Sequence, residues 1–205
     1  MIWFSKTRPP ATPLLPIPPR SALRTKPLWG QRVHLNALDP ADGPDLWEAV
    51  DGSRVSLCQW LPWVPFNTSP DTSQRYAEFC AQEWDAGKSL RFAIRSNETG
   101  KFLGVVSLDN CVHLHRNCDL GYWLRHTAAG QGLMTEAARL CISFAFQTLG
   151  LRRIRCAAAR DNAASLRVIA KLGFQFEGYA RQAELVGDRW VDHAVFSLLQ
   201  QDPRP

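Results

Sequence analysis

No acidic residue stands among the first 27 positions, no two cysteines are spaced Cys-x-x-Cys, and no unbroken apolar stretch reaches signal-peptide or membrane-span length. Each absence removes a class of explanation. Without the apolar stretch, a soluble cytoplasmic protein with no membrane partner is expected. Six cysteines scattered through 205 residues argue against a disulfide framework and for free thiols in a reducing compartment. Cys111, His113, His115 and Cys118 offer donor atoms, and on a strand the first three would share a face. Their spacing matches none of the common zinc patterns, so no metal is expected. The missing acids explain the net charge of +5: Lys6, Arg8, Arg20, Arg24 and Lys26 leave 19 of the 24 bases to face 19 acids. The basicity belongs to a tail and not to a binding face, so no nucleic-acid partner is expected. That tail also holds Pro9, Pro10, Pro13, Pro16, Pro18, Pro19 and Pro27, a density that favours an extended, solvated arm.

The chain divides accordingly into a flexible extension over 1–27, one domain over 28–199 and a short tail over 200–205; the domain is long enough to bury its own core. Arg32 to Leu38 alternates as an opening strand does, and Asp39-Pro40 marks a helix start with Leu46, Trp47 and Val50 facing inward. The stretch Gln59 to Phe66 is rich in proline and aromatics. It reads either as a lid on the core or as an acceptor pocket lined by Trp60, Trp63 and Phe66. A helix follows from Ser69-Pro70 to Gly87, with Tyr76, Phe79, Cys80 and Trp84 inward. Strands are expected over 90–95, 102–108 and 119–124, another over 153–159, and a closing pair over 174–184 and 189–199 that turns at Gly187-Asp188. A mixed sheet of six or seven strands with helices on both faces is the fold this order predicts.

Between Tyr122 and Ala137 the pattern passes from aromatic strand to small-residue loop to amphipathic helix. Gly130 and Gly132 precede the first helical turn, where backbone can approach a ligand and free N–H groups attract phosphate. The runs Gly-Tyr-Trp-Leu and Gly-Gln-Gly-Leu-Met resemble the cofactor loop of the GNAT superfamily of acetyl-CoA-dependent acyltransferases, closest to its RimJ/RimL branch. The resemblance implies an α/β GNAT fold and acetyl-CoA as co-substrate. It assigns the diphosphate to the loop from Thr127 through Gly130, Gln131, Gly132, Leu133, Met134 and Thr135, and the pantetheine arm to Tyr122, Trp123 and Leu124. Thr127 stands where the family pattern has Gln or Arg, so backbone contacts are implied there.

Arg160 to Phe174 resembles the second GNAT signature, an Asn followed three residues later by Ser and then Leu-Gly-Phe. It implies that Asn162 meets the pantetheine and that Ser165 lies near the thioester sulfur, where a hydroxyl can protonate the departing thiolate. Ser165 in a first helical turn is also ordinary capping chemistry. Tyr179 is the second candidate acid. Gln182 to Asp192 resembles the tail of RimL-type N-terminal acetyltransferases, in which the equivalent of Glu184 is proposed as the base; a solvated hairpin edge is the alternative. Asp192 and His193 read as structural, with Asp192 also a candidate for orienting substrate. The function implied is acetyl transfer to a primary amine, foremost a protein N-terminal α-amine, by a monomer or homodimer. A small-molecule amine acetyltransferase and a non-catalytic acyl-CoA-binding domain are the alternatives.

Overall fold

The computed structural model describes residues 14–203. Helix α1 (Arg20–Thr25) and the short β1 (Leu28–Trp29) lead into β2 (Val33–Ala37). Asp39 then accepts from the Ala41 N–H and closes a reciprocal capping box with Asp42, which starts the turn into α2 (Gly43–Asp51). A one-turn helix α3 (Arg54–Leu57) and the Pro-rich loop precede α4 (Pro70–Asp85), whose Ser69 hydroxyl caps the Thr72 N–H. Strands β3 (Leu90–Ser96), β4 (Phe102–Val112) and β5 (Asn117–Leu124) follow, then α5 (Leu133–Gln147), β6 (Arg153–Ala159), α6 (Ala163–Lys171), β7 (Gln175–Val186) and β8 (Arg189–Leu199).

All eight strands join one sheet in the order β1-β2-β3-β4-β5-β6-β8-β7. Every neighbour pair is antiparallel except β5 and β6, the pair that α5 connects. The strand beyond the expected count is β1, two residues long and without alternation of its own. Helices cover both faces. On one, Phe92, Val106, Leu120 and Ile154 pack under Ala137, Cys141, Phe144 and Ile169 of α5 and α6. On the other, Ala93, Val105 and Trp123 pack under Leu46, Val50, Leu57 and Cys80 of α2, α3 and α4. Trp47 and Phe79, expected to face inward, stand at least partly in solvent, and Ala49 and Ala77 occupy the inner faces of their helices.

The expected arm needs correction where it is described. Residues 14–27 form a strap and not a solvated extension. Leu15 and Leu23 are 4% and 6% exposed in the core, and Pro18 C=O accepts the Trp84 indole N–H at 2.9 Å. Arg20 pairs with Asp39 at 2.8 Å and Asp85 at 3.0 Å. His113 Nδ1 accepts the Leu15 N–H at 2.9 Å, which leaves Nε2 to donate to Gly87 C=O at 2.9 Å. The apolar residues spaced among the prolines, not the prolines themselves, decide this packing. Residues 1–13 of the expected arm lie outside the described residues. All six cysteines are free thiols, and burial pushes Cys156 up to about 12. No helix among the described residues is long and apolar enough to cross a membrane.

Candidate active site

The sheet is open at its centre. β5 and β6 pair from Asn117–Arg153 to Leu120–Cys156 and then part, although β5 continues to Leu124 and β6 to Ala159. Backbone groups of Gly121 to Leu124 on the β6 side therefore lack strand partners, and polar backbone groups need partners of some kind. A cavity of about 400 Å³ lies at this opening, lined on its different sides by β5, the loop before α5, α6, and the segment from Ser56 to Leu61.

Alternation along β5 sends successive side chains to opposite faces. Tyr122 turns toward α6, where its hydroxyl lies 2.8 Å from Ser165 Oγ. Burial, foremost, raises the Tyr122 phenol well above its ordinary pKa, so it is protonated at any physiological pH. Ser165 is held in place from behind, since its N–H donates to Asn162 Oδ1 at 3.0 Å, the cap of α6. Trp123 turns the other way and packs on Phe102 and Trp63 at ring distances of 6.3 and 6.0 Å.

The loop after β5 is tied on both sides. Arg125 reaches Glu48 of α2 at 2.7 Å, and the Ser53 hydroxyl accepts the His126 N–H at 3.0 Å. Gln131 Nε2 donates to Thr127 C=O, closing the loop upon itself. Gly130 and Gly132 take φ of 76° and 79°, the left-handed region that a side chain would strain. The first helical bond of α5 runs from Glu136 N–H to Gly132 C=O, so the amides of Leu133, Met134 and Thr135 have no acceptor in the helix. An acid in that first turn would compete with a phosphate, but Glu136 is already taken: Arg32 gives it a backbone N–H at 2.7 Å and a guanidinium contact at 2.9 Å. Burial works against ionisation of Glu136, yet these bonds outweigh it and hold its carboxyl below the ordinary range.

Of the residues expected at the site, Tyr122, Trp123, Leu124, Gly130, Gly132, Leu133, Met134, Thr135, Asn162, Ser165 and Trp60 line the cavity. Thr127 and Gln131 do not; they shape the loop. Trp63 stands behind Trp123, stacked on Tyr76, and Phe66 is 79% exposed, so the aromatic pocket expected of the loop reduces to Trp60 with Leu57 and Leu61. Tyr179 lies on β7 under the Arg160 guanidinium and is not among the residues that line the cavity. Glu184 lies on β7, outside the cavity lining, with Oε2 3.3 Å from His193 Nε2. Trp60 bridges the two regions, since it packs against Ala159, Val186 and Val191 beside that pair while lining the cavity. Sequence reading missed the Arg32–Glu136, Arg125–Glu48 and Ser53–His126 braces. No local pattern marks these pairs, because the partners lie 73 or more positions apart.

The cavity's parts can hold a chain of distinct groups: an amide-bearing arm along the open edge of β5, and an anion at the amides of Leu133 to Thr135. Three comparisons bear on what that is. A family model described as the acetyltransferase (GNAT) domain matches residues 32–175. "Probable N-acetyltransferase YjcK" of Bacillus subtilis (strain 168) is 36% identical over 178 residues, covering 85% of this chain and 98% of the relative. The ribosomal-protein-serine acetyltransferase of Escherichia coli (strain K12) is 26% identical over 169 residues, 82% of this chain and 93% of its own. Among solved structures, RimL, a ribosomal L7/L12 α-N-protein acetyltransferase in complex with coenzyme A, superposes with a TM-score of 0.81 at 22% identity, covering 85% of this chain and 98% of that one, a likeness of fold.

Proposed function

Because the chain belongs to the GNAT acetyltransferase family, we propose that it transfers an acetyl group from acetyl-CoA to a primary amine, and that this amine is the N-terminal α-amine of a protein or peptide. The observation that carries the reading is the parting of β5 from β6 after Leu120–Cys156. Tyr122 to Leu124 would hold the pantetheine amides as a neighbouring strand would, and the free N–H groups of Leu133, Met134 and Thr135 would hold the diphosphate. Acetyl-CoA, when bound, supplies a thioester already activated for attack.

The chain's own work is alignment and proton transfer. Ser165 gives a proton to the departing sulfur, and Tyr122 backs it through the 2.8 Å hydroxyl contact. Glu184 takes a proton from the acceptor, because an α-amine with a pKa of about 8 is mostly protonated at neutral pH and attacks only as the free base. Leu57, Trp60 and Leu61 form an apolar wall that keeps bulk water from the reacting groups. The choice of a protein N-terminus leans on the relative named for ribosomal-protein serine. Titration calorimetry with coenzyme A, followed by incubation with labelled acetyl-CoA and a panel of N-terminal peptides and small amines, tests both levels. Binding heat and labelled peptides are expected. Rapid turnover of a small amine with no peptide labelled would reject the acceptor, and no binding of coenzyme A would reject the whole reading.

A further inference from the structure

The antiparallel pair β7–β8 changes register at two places, between Phe176 and Gly178 and between Ala180 and Glu184, and the second, larger shift sits beside the proposed base. From Ala180 opposite His193 the ladder resumes at Glu184 opposite Val191, so three residues of β7 face only Asp192. Gln182, in the middle, takes a left-handed φ of 48°, and its N–H donates to Asp192 Oδ1 at 2.8 Å. A non-glycine residue in that region is costly and persists where surrounding bonds hold it.

The bulge relocates one side chain. Continued without it, the register from Ala180–His193 would set Glu184 opposite Arg189, about 7 Å further along the hairpin at about 3.4 Å per residue. Two extra residues draw Glu184 back until its Oε2 lies 3.3 Å from His193 Nε2. Because paired residues share a face, Glu184, Val191, His193 and Ala159 all stand on the side where Trp60 packs. Ala159 ends β6 at the open part of the sheet. The bulge thus sets the Glu184 carboxylate beside the His193 imidazole, on the side where Trp60 packs, rather than out along the hairpin.

We propose that His193 and the Asp192-pinned bulge are positioning elements that hold Glu184 in the orientation from which it accepts the proton of the incoming amine. His193 presents its Nε2–H to one carboxylate oxygen, which stops rotation of the Glu184 side chain and leaves the other oxygen to the acceptor. Asp192 fixes the backbone from which Glu184 projects. The amine proton goes to Glu184 and the amine nitrogen bonds to the acetyl carbon as the sulfur leaves; His193 neither gains nor loses an atom in that step. This inference rests on the reading of Glu184 as the base.

Steady-state kinetics with acetyl-CoA and the best amine of the panel, on a double-mutant cycle, tests it. His193→Leu is expected to lower kcat roughly tenfold with KM for acetyl-CoA within about twofold, a loss confined to the chemical step. His193→Gln, which keeps an N–H donor near the Nε2 position, is expected to restore most of it. In a Glu184→Gln background His193→Leu is expected to add less than about a twofold loss, since a positioning residue acts only through the group it positions. Asp192→Asn, which leaves an amide oxygen to accept the Gln182 N–H, is expected to remain active, while Asp192→Leu behaves as His193→Leu does. Wild-type kcat in His193→Leu and Asp192→Leu, or losses that multiply with that of Glu184→Gln, would overturn the proposal. Should either leucine variant fail to fold by circular dichroism, His193→Ala, which removes the donor, carries the cycle: a loss that vanishes in the Glu184→Gln background supports the proposal, and no loss, or a loss that multiplies there, overturns it. Full activity of Glu184→Gln would instead remove the base reading itself, a separate outcome.

Discussion

The two halves of the cleft are built in different ways. The cofactor half comes from one run of chain, β5 through the first turn of α5, completed by the start of α6. The half proposed to take the acceptor joins Trp60, in a loop between helices, to Val186 and Val191 on a hairpin more than 120 positions later. In the first half, residues near in sequence are near in space, and what the loop offers a ligand is mostly backbone N–H. In the second, side chains meet only because a register shift and a helical loop place them together. A local motif survives as a unit, whereas a site assembled from distant segments can be retuned one segment at a time.

Gly104 faces Trp123–Leu124 across the ladder with a φ of 157°, and a Cβ there would run into Trp123 O and Leu124 Cα. Gly104→Ala is therefore expected to cost about 3 kcal/mol or more, read as a lowered melting temperature and lost coenzyme A binding together. A variant with wild-type stability would show that the cofactor half has slack its geometry denies. Glu184→Gln breaks the other half alone: kcat falls on the order of 10²-fold to 10³-fold while calorimetric affinity for coenzyme A stays put. If affinity falls in parallel, the halves are not separable.

Tyr122→Phe sharpens the comparison, because this residue belongs to the cofactor half yet would act in chemistry. Loss of the phenol behind Ser165 is expected to lower kcat about tenfold with both KM values nearly unchanged. A pure rise in KM for acetyl-CoA would return Tyr122 to binding alone. The smallest effect concerns acid stability of the hairpin that carries the acceptor half. The Arg153 guanidinium, and then the Ser197 hydroxyl, hold Glu177 at about 2. A carboxyl depressed on folding contributes stability that is present above its ordinary value of 4.5 and is lost as pH falls from there toward 2. Glu177→Gln is expected to flatten the acid limb of a melting-temperature profile between those values, by less than about 1 kcal/mol because the pair is largely in solvent. An unchanged acid limb would show that the ladder alone holds β7.

Much of this was legible from residues alone, for identifiable reasons. Asp39-Pro40, Ser69-Pro70 and Asn162 mark helix starts through bonds made within three residues, and all three capping side chains make them. Gly187-Asp188 turns the last hairpin as its residues demand. The strap failed to declare itself because proline density reads as extension, whereas Leu15 and Leu23 find partners only in the assembled core. Trp63 and Phe66 were drawn to the site by being aromatic in a loop. Only packing shows that one backs Trp123 and the other faces water.

Sequence by itself determined the succession of elements, the glycine-bearing turn before α5 and the family, since caps, turns and periodicity are written within a few residues of one another. Tertiary structure decided where β5 and β6 part, which residue backs Ser165, and that a bulge beside Asp192 swings Glu184 to His193. Those outcomes depend on strand register and on contacts between segments 30 or more positions apart as well as on local bonds, and a linear reading carries no term for register.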